Sequence, residues 1–163
     1  METTSSQRIP FFCGEFELVL DPKNRLMVPS DIRRRSNPQA DGLGLFVTLR
    51  DKVVIFYPEK FYEELVNSQI PSTLTPSKEL LQYTQYKFAL ASWVEWDAQG
   101  RIVLPDRIRK RAGLERDVTL IGARDHMELW DRAEWNKYRE MLIYTSSDVE
   151  ERAAKEFRQR QSM

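Results

Sequence analysis

A segment of this chain occurs twice, and the repetition limits what the chain can fold into. Residues 21–35 return 76 positions later as residues 97–111, and 6 of the 15 paired positions are identical, where about one match is expected from average residue usage. Both copies read Asp-x-x-x-Arg, three apolar residues, proline and a basic stretch. We interpret this as a tandem duplication. Two halves of about 45 residues would each bury too little surface alone, so we expect them to share one core.

Each copy predicts the same order of elements. Apolar and more polar residues alternate over residues 15–20, as in a strand with one buried face. After the turn, the apolar runs 26–28 and 102–104 predict short strands that are buried on both sides and stopped by proline. A short helix should follow each proline, with Ser30 and Asp106 as good caps. The copies therefore share a strand, turn, strand and helix pattern.

A second pair of strands is predicted after each basic stretch, joined by a tight turn. The four strands are residues 45–49 with 53–57 in the first copy and 118–123 with 127–130 in the second. Helices should begin just after each pair, near Pro58 and Asp131.

Two further helical segments are expected outside the copies. A helix opening at Thr75 should run to about Ala89 and place its large apolar residues in the core. These residues are Leu80, Leu81, Tyr83 and Phe88. The stretch from Ser147 has little apolar content, so we expect a frayed helix or a solvated tail.

The distribution of charge is more informative than the total. Formal net charge is zero, from 25 basic and 25 acidic residues, which argues against a uniformly basic coat for nucleic acid. Each copy of the duplicated segment, however, holds five basic and two acidic residues, a net charge of +3. No uncharged apolar run approaches the ~18 residues of a membrane span, and residues 1–7 are polar. We therefore expect a cytoplasmic protein with no membrane partner.

Cysteine and histidine are too scarce for several kinds of chemistry. Cys13 and His126 are the only residues of their types, which leaves no internal disulfide and no metal-ligand or Cys/His pattern. We expect Cys13 to be a small buried or edge residue and His126 a solvated residue of a hairpin turn. No catalytic group, cofactor site or small-molecule ligand is evident, and no phosphate-cradling glycine loop is present. An enzyme is therefore the weakest of the function classes considered.

The Asp-x-x-x-Arg turns are the main candidates for function. The Asp21 and Asp97 carboxylates can accept hydrogen bonds from backbone N–H groups and hold each turn closed. Asn24 and Gly100 precede the arginines and tolerate a positive φ, so each turn can reverse tightly there.

Arg25 and Arg101 would project from the base of these turns. A guanidinium placed in this way can bridge phosphate oxygens or fork onto guanine O6 and N7, and Lys23 and Gln99 can help to position a duplex. The same spacing also fits a plain ion pair across the turn, and the basic stretch 33–35 also fits a solvated surface. The residues alone leave both interpretations open.

Short motifs surround the two turns. They are Phe12-x-Gly14-Glu15-Phe16, the paired Asp-x-x-x-Arg turns, Gly100-Arg101-Ile102-Val103-Leu104-Pro105, Arg109-x-x-Ala112-Gly113-Leu114 and Glu128-Leu129-Trp130-Asp131. In this order and spacing, over about residues 11–140, they closely resemble the MraZ family of transcriptional regulators of the bacterial division and cell wall gene cluster.

The resemblance implies an α+β, β-rich fold. Two SpoVT-AbrB-type repeats with swapped hairpins would interlock into one pseudo-twofold, double-psi-like barrel, with helices after each repeat. On this basis repeat 1 would span residues 15–62, a loop and connecting helix 63–90, repeat 2 residues 91–134, and a C-terminal helix and polar tail 135–163. Such units would assemble into a closed homo-oligomeric ring.

The resemblance also implies a function. Members would repress their own operon in the nucleoid by binding G-rich direct repeats of double-stranded DNA. The DNA-binding set carried over to this chain is Arg25 and Arg101 first, then Lys23, with Asn24, Gln99 and Gly100, while Asp21 and Asp97 shape the turns. Neither a catalytic residue nor a metal is implied.

The chain departs from the family pattern in two places. Asn24 stands where the family usually has glycine, which could alter the approach to DNA. Residues 1–10 and the C-terminal tail extend beyond the usual core and have no assigned role. The alternative function is an AbrB-fold protein-binding module, antitoxin-like or a scaffold, with its partner on the helix after Thr75 or on the tail.

Overall fold

The computed structural model describes residues 8–163. The chain divides into two compact units, one that ends at Asp131 and one that spans Arg132–Met163. Residues 1–7, whose polarity entered the sequence-based expectation about membranes, lie outside the described residues.

The helices and strands follow the order of the two copies. We call β1 to α3 the first repeat and β5 to β8 the second repeat. The first contains β1 (Phe12–Val19), β2 (Arg25–Met27), α1 (Ser30–Arg33), α2 (Pro38–Asp41), β3 (Gly44–Arg50), β4 (Val53–Pro58) and α3 (Glu59–Gln69). Helix α4 (Lys78–Leu90) connects it to β5 (Ser92–Glu95), β6 (Arg101–Val103), α5 (Asp106–Ala112), β7 (Asp117–Arg124) and β8 (Met127–Asp131). The second unit contains α6 (Arg132–Tyr144) and α7 (Ser146–Gln161).

The repeats exchange strands in one antiparallel sheet. Its six strands lie in the order β1-β7-β8-β4-β3-β5. Strand β1 of the first repeat pairs with β7 of the second, beginning with Phe12 opposite Arg124. Strand β5 of the second repeat pairs with β3 of the first, with Gly44 opposite Glu95. Each repeat therefore supplies an edge strand to the hairpin of the other. The sheet of this α+β fold thus needs strands from both copies.

A two-stranded ribbon joins the repeats at the duplicated segment. Strands β2 and β6 are antiparallel, with Leu26 opposite Ile102, and both of these residues are buried. Met27 and Val103, by contrast, are 49% and 54% exposed. The prediction that these strands are buried on both sides is therefore wrong. One face of the ribbon lies on the core and the other is open.

The short helices after the ribbon close the core from the sides. Ile32 and Ile108 are each 1% exposed and belong to the main apolar cluster, as predicted. Neither α1 nor α5 has a side-chain cap, because the N-cap position of each is the preceding proline. The predicted caps, Ser30 and Asp106, stand at the first helical position instead, and the carboxylate of Asp106 forms other contacts described below.

Helix α4 differs from its prediction. It begins three residues later than Thr75, and none of its residues is buried. Leu81 and Tyr83 are exposed, so the prediction that they pack in the core is wrong. Leu80 and Phe88 are half-buried. A helix with aromatic and aliphatic residues on more than one side cannot cover all of them with a single contact face.

Two further predictions concern Cys13 and the C-terminal helix. Cys13 lies on the edge strand β1 with its side chain exposed, so it is an edge residue and not a buried one. Helix α7 is a continuous helix of 16 residues without a buried side chain. None of the described helices is long and apolar enough to cross a membrane.

His126 is not the solvated turn residue that the sequence predicts. Its side chain is 15% exposed. Nδ1 lies 2.8 Å from Asp125 Oδ1, and Nε2 lies 2.8 Å from Glu128 Oε2. The other carboxylate oxygen of Glu128 accepts a hydrogen bond from Trp130 Nε1 at 3.0 Å. Burial disfavours the imidazolium and is the largest single influence, but the hydrogen bonds to both carboxylates outweigh it and raise the pKa of His126 above its ordinary 6.5.

We expect His126→Gln to destabilise the protein more at pH 5.5 than at pH 9. The folded state raises the pKa, so the stabilisation by the imidazolium is fully present below 6.5 and is lost as pH rises through the folded value. Urea unfolding of both proteins at the two pH values measures the effect. Lys52→Gln, at the equivalent position of the other hairpin, is the control and should give the same penalty at both. A penalty for His126→Gln that is equal or larger at pH 9 would contradict the assignment.

Candidate nucleic-acid interface

The first Asp-x-x-x-Arg turn is closed by its own aspartate. Asp21 Oδ1 accepts hydrogen bonds from the backbone N–H groups of Lys23 at 2.9 Å and Arg25 at 2.8 Å. Across the turn, Asn24 N donates to Asp21 O at 2.9 Å. These bonds satisfy the backbone donors of the turn locally, so the turn needs no solvent to hold its shape.

The second turn repeats this geometry at the equivalent positions. Asp97 Oδ1 accepts from the N–H groups of Gln99 at 2.8 Å and Arg101 at 2.9 Å, and Gly100 N donates to Asp97 O at 3.0 Å. The side chains of Lys23 and Gln99 are exposed at the two tips. The hydrogen bond from the arginine backbone N–H is the largest influence that holds the pKa of each aspartate below its ordinary 3.8.

Each turn rests on the helix of the other repeat. Asn24 and Gly100 both have positive φ, 60° and 78°. Beneath Gly100 lies the guanidinium of Arg33 on α1, so close that a Cβ on Gly100 would be 2.5 Å from Cζ. Asn24 Nδ2 instead donates to Asp106 Oδ1 on α5 at 3.2 Å. The chain therefore has glycine where a guanidinium lies under the turn and asparagine where a carboxylate does.

Asp106 is the most strongly perturbed carboxylate of this region. Its carboxylate forms an ion pair with Lys110 Nζ at 2.9 Å. It also accepts hydrogen bonds from Arg109 Nη2 at 3.1 Å and from Asn24 Nδ2. Lys110 is the largest contributor, and together these donors lower the pKa of Asp106 to about 2. The carboxylate therefore stays charged in all ordinary buffers and remains an acceptor for the first turn.

The predicted ion pair across each turn is present. Arg25 Nε lies 2.5 Å from Asp21 Oδ2, and Arg101 Nε lies 2.8 Å from Asp97 Oδ2. The two arginine side chains are 36% and 28% exposed. Within residues 8–163, Nη1 and Nη2 of both arginines form no hydrogen bond to protein. The aspartate thus holds the inner edge of each guanidinium and leaves its terminal edge open.

The ribbon fixes the two arginines relative to each other. Reciprocal backbone hydrogen bonds extend the β2–β6 pairing into both turns, from Val28 N to Gly100 O at 3.2 Å and from Leu104 N to Asn24 O at 2.8 Å. Because the turns are part of one hydrogen-bonded ladder, neither can move without breaking bonds to the other repeat.

Both arginines lie on the open face of the ribbon. Arg25 is opposite Val103 and Arg101 is opposite Met27, so the two arginines occupy diagonal positions of the ribbon about 7–8 Å apart. The structure therefore brings Arg25 and Arg101 to one surface, with Lys23 at its border. Met27 and Val103 complete this surface, and the sequence interpretation missed them because it treated their strands as buried on both sides.

The basic stretches behind the ribbon are not uniformly solvated. Arg33 Nε donates to Val28 O at 3.0 Å, and Arg109 Nη1 donates to Leu114 O at 3.1 Å. Arg33 and Arg109 therefore have structural roles, whereas the side chain of Arg34, exposed like that of Arg33, forms no hydrogen bond or ion pair to another described residue. Within residues 8–163, no group of three or more His, Cys, Asp or Glu residues is placed to hold a metal ion.

Comparison with known proteins gives one consistent result. A family model described as "MraZ protein, putative antitoxin-like" matches residues 88–157. A transcriptional regulator MraZ of Clostridium beijerinckii is 34% identical over 142 residues, which cover 85% of this chain and 94% of that protein. Proteins of the same name from Heliobacterium modesticaldum (32% identical, covering 86% and 95%) and Dehalococcoides mccartyi (36% identical, covering 76% and 84%) are also similar.

We expect Gly100→Ala to destabilise the protein more than Gly113→Ala. Gly113 also has a positive φ, 66°, but a Cβ there meets nothing within 4 Å, so its substitution costs only the ~1–2 kcal/mol of a left-handed non-glycine residue. At Gly100 the added Cβ must also displace the end of the Arg33 side chain, which breaks the hydrogen bond from Arg33 Nε to Val28 O. Urea unfolding compares the two. Adding Arg33→Ala should remove the excess penalty of Gly100→Ala. Equal penalties for the two glycine substitutions would contradict the contact between Arg33 and the second turn.

Proposed function

This chain belongs to the MraZ family, and from that premise we propose that it is a sequence-specific DNA-binding transcriptional regulator. We further propose that it represses its own division and cell wall gene cluster by binding G-rich direct repeats. Regulators of transcription are not an enzyme class, so the proposal requires no catalytic site. A DNA partner is consistent with a cytoplasmic, nucleoid-associated protein.

The diagonal pair of arginines is the observation that carries the proposal. The terminal edge of a guanidinium, with Nη1 and Nη2, matches O6 and N7 of guanine in the major groove. That edge is the one left open on Arg25 and Arg101, because Asp21 and Asp97 occupy Nε. The strand positions that carry the two arginines are about 7–8 Å apart, which is close to two base steps at ~3.4 Å each. The two repeats can therefore address two nearby guanines.

The surroundings of the pair fit a duplex. Lys23 and Gln99 at the turn tips can contact phosphate oxygens, which fix the register of a protein on DNA. Asn24 and Gly100 keep the backbone compact there, so the tips can approach closely. The net charge of +3 in each duplicated segment supplies attraction to the phosphates although the whole chain is neutral.

Assembly extends the same argument. A ring of subunits would present several ribbons to adjacent direct repeats, and multivalency raises total affinity without any new contact. The exchange of β1 and β5 between the repeats supports the swapped-hairpin arrangement. The ring and the double-psi-like barrel remain predictions.

A second candidate is a protein-binding module of the antitoxin type. Helix α4 favours it, because Leu81, Tyr83 and Tyr86 are exposed on that helix. Capture of one stoichiometric protein partner that is lost on substitution of Leu81 and Tyr86 to serine would support this candidate, whereas DNA binding that is unchanged by those substitutions would support the first.

We expect Arg25→Ala and Arg101→Ala each to lower affinity for the DNA upstream of the chain's own gene by about 5- to 150-fold, the value of one bidentate guanine contact. The double variant should not bind specifically. Arg25→Lys should lose most of the affinity as well, because an ammonium keeps the charge but has no fork. Fluorescence anisotropy at several salt concentrations measures this.

Arg34→Ala is the matched control, because Arg34 is an exposed arginine of the same segment outside the ribbon. It should weaken binding modestly and by the same factor for specific and non-specific DNA. Circular dichroism and light scattering should show unchanged fold and assembly size for all variants. If the folded double variant of Arg25 and Arg101 binds the upstream DNA with wild-type affinity, these two arginines are not the DNA-binding residues.

A further inference from the structure

The open face of the ribbon carries an apolar pair between its arginines. Met27 and Val103 are 49% and 54% exposed, and each lies directly opposite an arginine of the other strand. The face is thus a two-by-two array in which arginines occupy one diagonal and apolar side chains the other. Single exposed apolar residues are common on protein surfaces, but this pair lies at the centre of the proposed DNA interface.

Folding does not account for the apolar character of these two positions. The inward face of the ribbon is supplied by Leu26 and Ile102, which belong to the main apolar cluster. Polar residues at positions 27 and 103 would leave that cluster intact, because successive side chains of a strand point to opposite faces. The character of Met27 and Val103 is therefore available for a contact outside the subunit.

We propose that Met27 and Val103 contact the C5-methyl groups of thymine in the major groove, so that the site takes duplexes in which thymine lies next to the guanines read by the arginines. This inference rests on the proposed function. The major groove is wide enough for a two-stranded ribbon, and the thymine methyl is the apolar group that its floor presents. Recognition of DNA by this ribbon would thus combine guanidinium forks with apolar contacts from alternate corners of one face.

Charge favours DNA over a second copy of this chain as the occupant. If two ribbons packed face to face, the terminal edges of Arg25 and Arg101 of one copy, which their aspartates leave unpaired, would meet the same edges of the other. Like charges brought together out of water are strongly unfavourable. A phosphate-lined groove instead offers opposite charge around the arginines and apolar methyl groups on its floor.

The test is to remove the thymine methyl groups from the DNA. The fragment upstream of the chain's own gene is amplified once with dTTP and once with dUTP, which differs only by lacking the C5-methyl group. The wild-type protein should bind the thymine fragment about fourfold more tightly for each methyl group buried, and so about fifteenfold if both apolar residues make the contact. Binding is measured by fluorescence anisotropy at fixed salt.

A double variant separates this contact from any change in DNA shape. Met27→Gln with Val103→Asn keeps side-chain size and replaces both apolar groups by amides, so it should bind both fragments with nearly equal affinity. Val19→Asn is the matched control, because Val19 is 47% exposed on β1, outside the ribbon. Its ratio of affinities for the thymine and uracil fragments should equal that of the wild type. Thermal unfolding checks that all variants are folded.

Each alternative outcome is distinct. Equal affinity of the wild type for both fragments, together with loss of binding in Arg25→Ala, would overturn the methyl contact and leave the proposed function in place. A thymine preference that persists in the double variant would also overturn it. A smaller assembly for the double variant, seen by light scattering, would show that a second copy covers the pair. Failure of the wild type to bind either fragment would contradict the proposed function, and this inference with it.

Discussion

The pairing of β2 with β6 is the constraint on which the rest of the structure depends. Leu26 and Ile102 face each other at its centre and enter the core together. The hydrogen bonds from Val28 to Gly100 and from Leu104 to Asn24 then carry the ladder into both turns. In addition to the strands exchanged in the sheet, this antiparallel ribbon joins the two repeats, orients both turns and places both arginines on one face. Separating the copies would expose apolar core residues and unpaired backbone groups at the same time.

The two turns have the same internal hydrogen bonds but pack on different residues of the opposite helix. The aspartate hydrogen bonds are the same in both, but Arg33 lies beneath one turn and Asp106 beneath the other. This difference explains why the first turn carries Asn24 where a glycine would be the expected residue: its amide has a carboxylate to reach. The two copies therefore differ in the residues beneath the turns, whereas the exposed geometry of the turns is the same.

The features that could be predicted from the sequence are those that depend on neighbouring residues of the chain. Asp21 and Asp97 accept hydrogen bonds from the turn, and Asn24 and Gly100 take positive φ, because these outcomes depend on residues within five positions of one another. The hairpins and the short helices follow for the same reason. The family relationship is confirmed by the comparisons with known proteins, whereas the ring and the assignment of the DNA-binding residues stay predictions.

Properties set by distant partners were not predictable. A run of three apolar residues does not say which face of a strand is covered. The exposure of Met27 and Val103 could therefore not be predicted from the run itself. His126 lies against the ring of Tyr57 from the other hairpin, with ring centroids 5.4 Å apart, and Arg50 of that hairpin contacts Glu128. The residues around His126 in the sequence could not indicate either contact. The sequence of α4 is apolar enough for a core helix, yet Leu81 remains exposed.

Hydrogen exchange measured by mass spectrometry, with and without the upstream DNA fragment, tests the central claim most directly. The claim is that both repeats meet DNA through one shared ribbon and its two turns. It predicts that DNA slows exchange most in peptides that cover residues 21–27 and 97–103, and to a similar degree in both. Slower exchange confined to α4 or α7, with the ribbon peptides unchanged, would contradict it.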